Sequence, residues 1–313
     1  MVTQAPQAGT TSIDPATHVG MVALNVADLA RSLEFYTASM GFTVLQHTDA
    51  DAILGVAGTP LLLLREQAGA RPWPTEGVTG LYHFAILVPT RADLGRWLRH
   101  FLDTGNPVPG QGDHLVSEAL YIRDPDEHGI EVYRDRPRSE WHWDNGRVQM
   151  ASNPVDVRGL FAAAQESGQP WTGLSAGTTI GHIHLQIGDI RKAEAFYHGI
   201  LGFDVVAAMP SALFVSAGGY HHHIGLNIWH SRGASPAPEH TASLRYYTLA
   251  LPGDEALAAV VARIAAAGID YQQVGEVVIV KDPWQNTILL HKGDVTDAAT
   301  AVALDAAPVV TPA

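Results

Sequence analysis

The sequence predicts an α+β protein built from four strand–helix–three-strand units arranged as two tandem halves. Three observations carry this. Val26-Ala27-Asp28-Leu29, followed by Glu34-Phe35-Tyr36 and Gly41-Phe42-Thr43-Val44, recurs as Ile187-Gly188-Asp189-Ile190, Glu194-Ala195-Phe196-Tyr197 and Gly202-Phe203-Asp204-Val205, at a constant offset of 161 positions. A second echo joins residues 81–89 with 244–252, and Asp124-Pro125 with Asp282-Pro283. Each repeat also opens on an alternating β-branched run and continues at helical spacing. The halves span 17–136 and 178–292, and each holds two units.

The first residues, MVTQAPQAGTTSID, have neither a basic start nor an apolar core. They do not read as a signal peptide, and residues 1–16 are expected to be a flexible lead. Unit one begins with a half-buried strand over residues 19–26. Asp28 stands where a helix N-cap belongs, and Leu29, Leu33, Tyr36 and Met40 follow at helical spacing until Gly41 stops the helix. Short strands are expected over 42–46, 52–56 and 61–64. The other units begin near Tyr82, Ile180 and Tyr246. Residues 137–177, with Trp141, Trp143 and Trp171, connect the halves and are too long and too aromatic for a bare linker, so part of them should pack on the surface. The Ala- and Pro-rich stretch 293–313 is expected to be a flexible tail.

Composition narrows the function. With 46% hydrophobic and 16% charged residues the chain is not globally disordered. No run reaches the roughly 18 apolar residues of a membrane span. A net charge of −13 without a basic cluster argues against nucleic-acid and acidic-lipid partners. The absence of cysteine excludes disulfides, zinc ribbons, iron–sulfur clusters and thiol catalysis. Sixteen histidines remain, so any metal must be held by nitrogen and oxygen. A cytoplasmic location is the default expectation.

The most informative segment runs from Gly112-Asp113-His114 through Leu120-Tyr121 and Asp124-Pro125 to Glu131. Asp124-Pro125 ends one strand, Gly129 turns the chain back, and Glu131 lies on the return strand between Ile130 and Val132. An acid there either faces outward or needs a partner. His83, in the apolar run 81–88, is either a ligand or a core histidine bonded to a backbone carbonyl.

Together these features resemble the vicinal oxygen chelate superfamily, which includes glyoxalase I, bleomycin-resistance proteins and type I extradiol dioxygenases. The likeness covers roughly residues 17–292 and is nearest to four-unit bacterial catechol 2,3-dioxygenases; one departure is Glu127, where the ring-cleavage signature has Gly or Pro. The resemblance implies units paired into open, cupped barrels with a metal inside the cup. It also implies two His and one carboxylate as ligands, leaving positions for substrate and oxygen. Glu131 and His83 fill two of those positions. The third slot lies seven residues before the helix-capping Asp: Met21 in unit one, His182 in unit three. Unit four has Tyr246 in its slot and Leu289 as the counterpart of Glu131. Only units two and three together have a full set, His83, Glu131 and His182, so crossed pairing is expected, with His18 as the competing third ligand. His222, from His221-His222-His223, matches the family's acid/base histidine, with a surface cluster as the alternative; His114 and Tyr121 match the polar residues beside the substrate. His184 shares the face of His182 and stays outside the ligand set.

The implied function is Fe(II)-dependent extradiol cleavage of a catechol, with Mn(II) open as the metal and O2 as co-substrate. A small aromatic diol is the implied partner, and a homo-oligomer is the family habit. The alternatives are a glyoxalase-like metal-dependent lyase or isomerase, and a non-catalytic binding protein of the bleomycin-resistance kind.

Overall fold

The structure, a computed structural model, describes residues 12–306. Residues 1–11 of the lead expected over 1–16, and residues 307–313 of the tail expected over 293–313, lie outside the described residues. Unit one contains β1 (His18–Val26), α1 (Leu29–Glu34), β2 (Thr43–His47), β3 (Asp51–Val56) and β4 (Thr59–Glu66). Unit two contains β5 (Gly80–Leu87), α2 (Arg91–Asp103), β6 (Gly110–Asp113), β7 (Ser117–Arg123) and β8 (Gly129–Asp135). The connecting segment adds a small hairpin, β9 (Trp143–Asp144) and β10 (Arg147–Val148), and α3 (Val157–Glu166). Unit three contains β11 (Thr179–Gln186), α4 (Ile190–Ala193), β12 (Asp204–Met209), β13 (Ala212–Ser216) and β14 (Ile224–Asn227). Unit four contains β15 (Ser243–Leu251), α5 (Asp254–Ala266), β16 (Tyr271–Val274), β17 (Val277–Lys281) and β18 (Thr287–Lys292), and α6 (Ala298–Ala306) follows.

The strands form two curled eight-stranded sheets. One has the order β16-β17-β18-β15-β1-β4-β3-β2, the other β12-β13-β14-β11-β5-β8-β7-β6. Unit one therefore pairs with unit four, and unit two with unit three, so each half of the sequence contributes one unit to each sheet. Within every unit the first and last strands run parallel, as in Phe84↔Ile130 and Ile183↔Ile224. The units join through antiparallel first strands, β1 with β15 and β5 with β11. Alternation sorts the side chains. Leu24, Ile86, Ile130 and Ile183 face a shared core between the sheets. Glu131, Tyr133, His182 and His184 take the intervening positions on the other face.

The Asp-Pro echo is a lock between neighbouring units. The Tyr36 hydroxyl donates to Asp124 Oδ2 at 2.9 Å, and the Tyr197 hydroxyl donates to Asp282 Oδ2 at 2.9 Å. The tyrosines stand on widened turns. Asp28 caps α1 as expected, accepting from the Arg31 amide at 2.9 Å. The single helix expected through Met40, however, passes into a π-helix over Phe35–Ser39, and the same occurs over Glu194–Ile200. The extra residue per turn buries Phe35 and Tyr36 together, so helical spacing alone misses it. Glu127, the departure from the signature, has φ 67°, and Gln285, its counterpart in the second Asp-Pro turn, has φ 68°. Both turns thus place a non-glycine residue in the left-handed region.

Two expectations are corrected at the ends of the fold. The lead is anchored before β1, since Ile13 is buried and its amide donates to Gly202 O at 2.7 Å. Within the stretch expected to be a flexible tail, Ala298–Ala306 form α6, which seats Ala301 and Leu304 against Met21, Ile53, Leu63, Tyr246 and Leu289. Its alanine-rich sequence carries no polar–apolar contrast that would have announced it. In the connecting segment α3 packs on α2. No helix among the described residues is long and apolar enough to cross a membrane.

Candidate active site

β5 and β11 run side by side and present His83 and His184 as cross-strand partners, with His182 opposite Ala85. β8 lies on the other side of β5 and places Glu131 beside Ala85. Gly181 permits this arrangement. The register shifts between Ile180 and His182, and a Cβ at Gly181 would overlap the Tyr133 hydroxyl. His182 Nε2 lies 3.1 Å from Glu131 Oε2 and His83 Nε2 lies 3.0 Å from the same oxygen. One ligand atom from each residue falls within 4.8 Å of the others, and all three side chains are buried.

This set fits a cation. His83 Nε2 has no hydrogen-bond partner despite its 3.0 Å approach to the carboxylate, and His182 Nδ1 also lacks one. Nitrogen lone pairs converging on a carboxylate oxygen repel it unless a proton or a metal ion lies between them. Burial pushes the Glu131 carboxyl up, but the neighbouring His182 and His83 rings outweigh it and hold the group well below the usual carboxylate range. His83 is pushed down by burial, against the pull of Glu131. A carboxylate and two imidazoles are the donor set that leaves open positions on a first-row metal.

A family model described as "Glyoxalase/Bleomycin resistance protein/Dioxygenase superfamily" matches residues 18–132 and 179–290. The chain belongs to this superfamily. A curated relative named catechol-2,3-dioxygenase, from Bacillus subtilis (strain 168), is 48% identical over 277 residues, covering 87% of this chain and 96% of the relative. The fold agrees with solved structures of low identity. A Bacillus subtilis protein described as a candidate dioxygenase gives a TM-score of 0.60 at 14% identity, over 91% of this chain and 86% of that one. Glyoxalase I from Zea mays gives 0.54 at 15% identity, over 94% and 98%.

The remaining residues singled out by the superfamily resemblance fall around the same cup. Tyr121 pairs with Glu131 across β7 and β8, and its ring centroid is 5.5 Å from that of His83. Its hydroxyl lies 2.7 Å from His114 Nε2, while His114 Nδ1 donates to the Ala151 carbonyl at 2.6 Å. That carbonyl can only accept, so Nε2 carries the lone pair and the Tyr121 hydroxyl donates to it. Burial raises the Tyr121 phenol well above its usual range, and Glu131 adds to this. His222 is buried with its ring centroid 4.1 Å from that of His182. Burial pushes it well below the ordinary imidazole range, and His182 and His221 add to this, leaving the ring neutral. The three histidines sit in the turn before β14, which starts only at Ile224. His223 faces away from the cup and accepts the Ala217 amide at 3.1 Å.

His18 is not brought to the site. Its exposed ring is bonded to Ala16 O and Asp294 at 2.9 and 2.8 Å. His184 lies in the cup with its Nε2 3.0 Å from Asn227 Nδ2. Asn227 Oδ1 accepts the Trp229 amide, so the Nδ2 group is the end that donates to His184. His184 Nε2 is therefore occupied. Sequence reasoning missed Asp135 and His221, whose ring Nε2 lies 2.9 Å from Asp135 Oδ1 and whose Nδ1 lies 2.8 Å from His222 Nδ1. A histidine directly before His222 was the available signal; its partner lies 86 residues away, on another unit.

Proposed function

We propose that the chain is an extradiol dioxygenase of the catechol 2,3-dioxygenase type. The carrying observation is the buried convergence of His83 Nε2, His182 Nε2 and Glu131 Oε2, and the 48% identical relative supports it. His83, Glu131 and His182 would hold Fe(II), with Mn(II) compatible with the same donors. The chemistry supplied by the bound ion is electron transfer between a chelated catechol and O2. The product is a ring-opened hydroxymuconic semialdehyde containing both atoms of O2.

The chain's own residues bind, orient and move protons. Neutral His222, beside His182, is placed to take a proton from a catechol hydroxyl. Tyr121 and His114 form a hydrogen-bonded pair on the opposite side of His83. The Tyr121 hydroxyl can stabilise negative charge on a substrate oxygen by turning its single proton from His114 Nε2 to that oxygen. Phe214, Ala85 and Ala119 are buried apolar neighbours that limit water in the cup. The test is anaerobic loading with Fe(II), followed by a panel of catechols and air. A yellow ring-fission product is expected, and His222→Gln should lower kcat by about 100-fold or more. Loaded protein that turns over no catechol would overturn the proposal.

A further inference from the structure

Asp135 and His221 lie behind His222 and are not needed to hold a metal. Asp135 Oδ1 is 2.9 Å from His221 Nε2, and His221 Nδ1 is 2.8 Å from His222 Nδ1. His221 is fully buried and Asp135 mostly so. Trp141, from the connecting segment, closes over His221 at 5.3 Å between ring centroids and anchors its indole N–H on the Arg136 carbonyl at 3.0 Å.

The donor and acceptor roles in this chain follow from one end. A carboxylate only accepts, so His221 must donate from Nε2. A neutral imidazole with its proton on Nε2 has a lone pair on Nδ1. That lone pair would face His222 Nδ1 at hydrogen-bond distance. In that arrangement His222 donates from Nδ1 and keeps Nε2 unprotonated, whereas a His221 protonated on both nitrogens would donate to His222 and put the His222 proton on Nε2. We infer that Asp135 and His221 are positioning residues that fix His222 in the tautomer with a basic Nε2. The inference rests on the proposed dioxygenase reading for its catalytic consequence, but the tautomer itself does not.

The step it serves is a single proton transfer. The catechol O–H bond breaks, the Nε2–H bond of His222 forms, and the oxygen keeps the electron pair. The imidazolium so formed holds its Nδ1–H against the lone pair of His221, which the Asp135 carboxylate polarises from the far side. Without this pair, a neutral His222 is free to put its proton on Nε2, where it would block the base.

Histidine 15N chemical shifts of the full chain loaded with diamagnetic Zn(II) test the inference. Wild-type His222 should show a protonated Nδ1 and an unprotonated Nε2. Asp135→Asn and His221→Phe should each move the proton toward Nε2, and Asp135→Glu should restore the wild-type pattern. With Fe(II), Asp135→Asn should lower kcat by about tenfold or more with KM changed by less than about threefold. Wild-type His222 protonated on Nε2 overturns the inference whether or not the variants fold. Folded variants with an unchanged tautomer overturn it too. His222→Gln that cleaves catechols at the wild-type rate would instead sink the catalytic reading and leave the tautomer result standing.

Discussion

Gly181 shows how closely the cup is fitted around His182. It precedes His182 at the register shift of β11, and the Tyr133 hydroxyl occupies the space a methyl group would need. That hydroxyl is within 2.7 Å of the Tyr220 hydroxyl, so it cannot retreat without breaking a buried contact. Gly181→Ala should lower stability by about 1–3 kcal/mol and weaken Fe(II) binding by displacing His182, as thermal unfolding and metal titration would measure. Unchanged affinity would show that the bulge does not set the ligand position. At this scale the cluster of His83, Glu131 and His182 was legible, because the superfamily signature pointed to Glu131 and the matching strand position to His83 and His182. The Asp135–His221 pair was not legible, because it depends on two units meeting in space.

The two Asp-Pro turns provide an internal comparison between elements. Asp124 accepts the amides of Asp126 and His128 at 2.9 Å each, and the His128 ring lies 2.9 Å from its second oxygen. Asp282 accepts the amides of Trp284 and Asn286 at 2.8 and 2.9 Å, and an amide nitrogen of Asn286 replaces the imidazole. The electrostatics differ accordingly. Burial raises both aspartates, but the His128 charge outweighs it at Asp124 and lowers that group, while Asp282 stays raised. Burial alone would lower His128, yet Asp124 raises it above the usual imidazole value. Stability from the raised histidine is present below its unfolded pKa and is lost as pH rises through the folded one. Stability from the lowered aspartate is present above its unfolded pKa and is lost as pH falls through the folded one. The pair therefore contributes most between about pH 4 and pH 6.5. His128→Asn, which copies the second turn, should fold and should lose less stability than the wild type between about pH 6 and pH 9, by on the order of 1 kcal/mol. Urea unfolding at both pH values checks this, and identical pH dependence in the two proteins would contradict it. The strands and caps around these turns were legible in the sequence from alternation and from Asp28. The π-helices beneath Tyr36 and Tyr197 were not, since a widened turn follows from packing on the neighbouring unit.

At the scale of the whole molecule, one cup is equipped and the other is filled. The positions matching His182, His83 and Glu131 are Met21, Tyr246 and Leu289, which cluster as fully buried side chains. α6 closes this second cup with Ala301 and Leu304, and Asp305 secures it through Arg65 at 2.8 Å and Arg245 at 2.9 Å. Leu304→Ala should cost about 2 kcal/mol by leaving a cavity, read as a lower urea midpoint, with Fe(II) binding unchanged. Loss of metal with that substitution would mean the two cups are coupled. The crossed pairing was legible from the ligand sets alone, because neither sequential pair of units supplied two histidines and a carboxylate. The plug was not, because its helix has no amphipathic pattern and its partners are spread over units one and four. The central claim is that His83, Glu131 and His182 together make one metal site per chain. Anaerobic Fe(II) equilibrium dialysis tests it most directly. One ion should bind per wild-type chain, none should bind to Glu131→Ala or His182→Ala, and one should remain in His18→Ala. A wild-type chain that binds no ion, or a Glu131→Ala chain that keeps its ion, would contradict the claim.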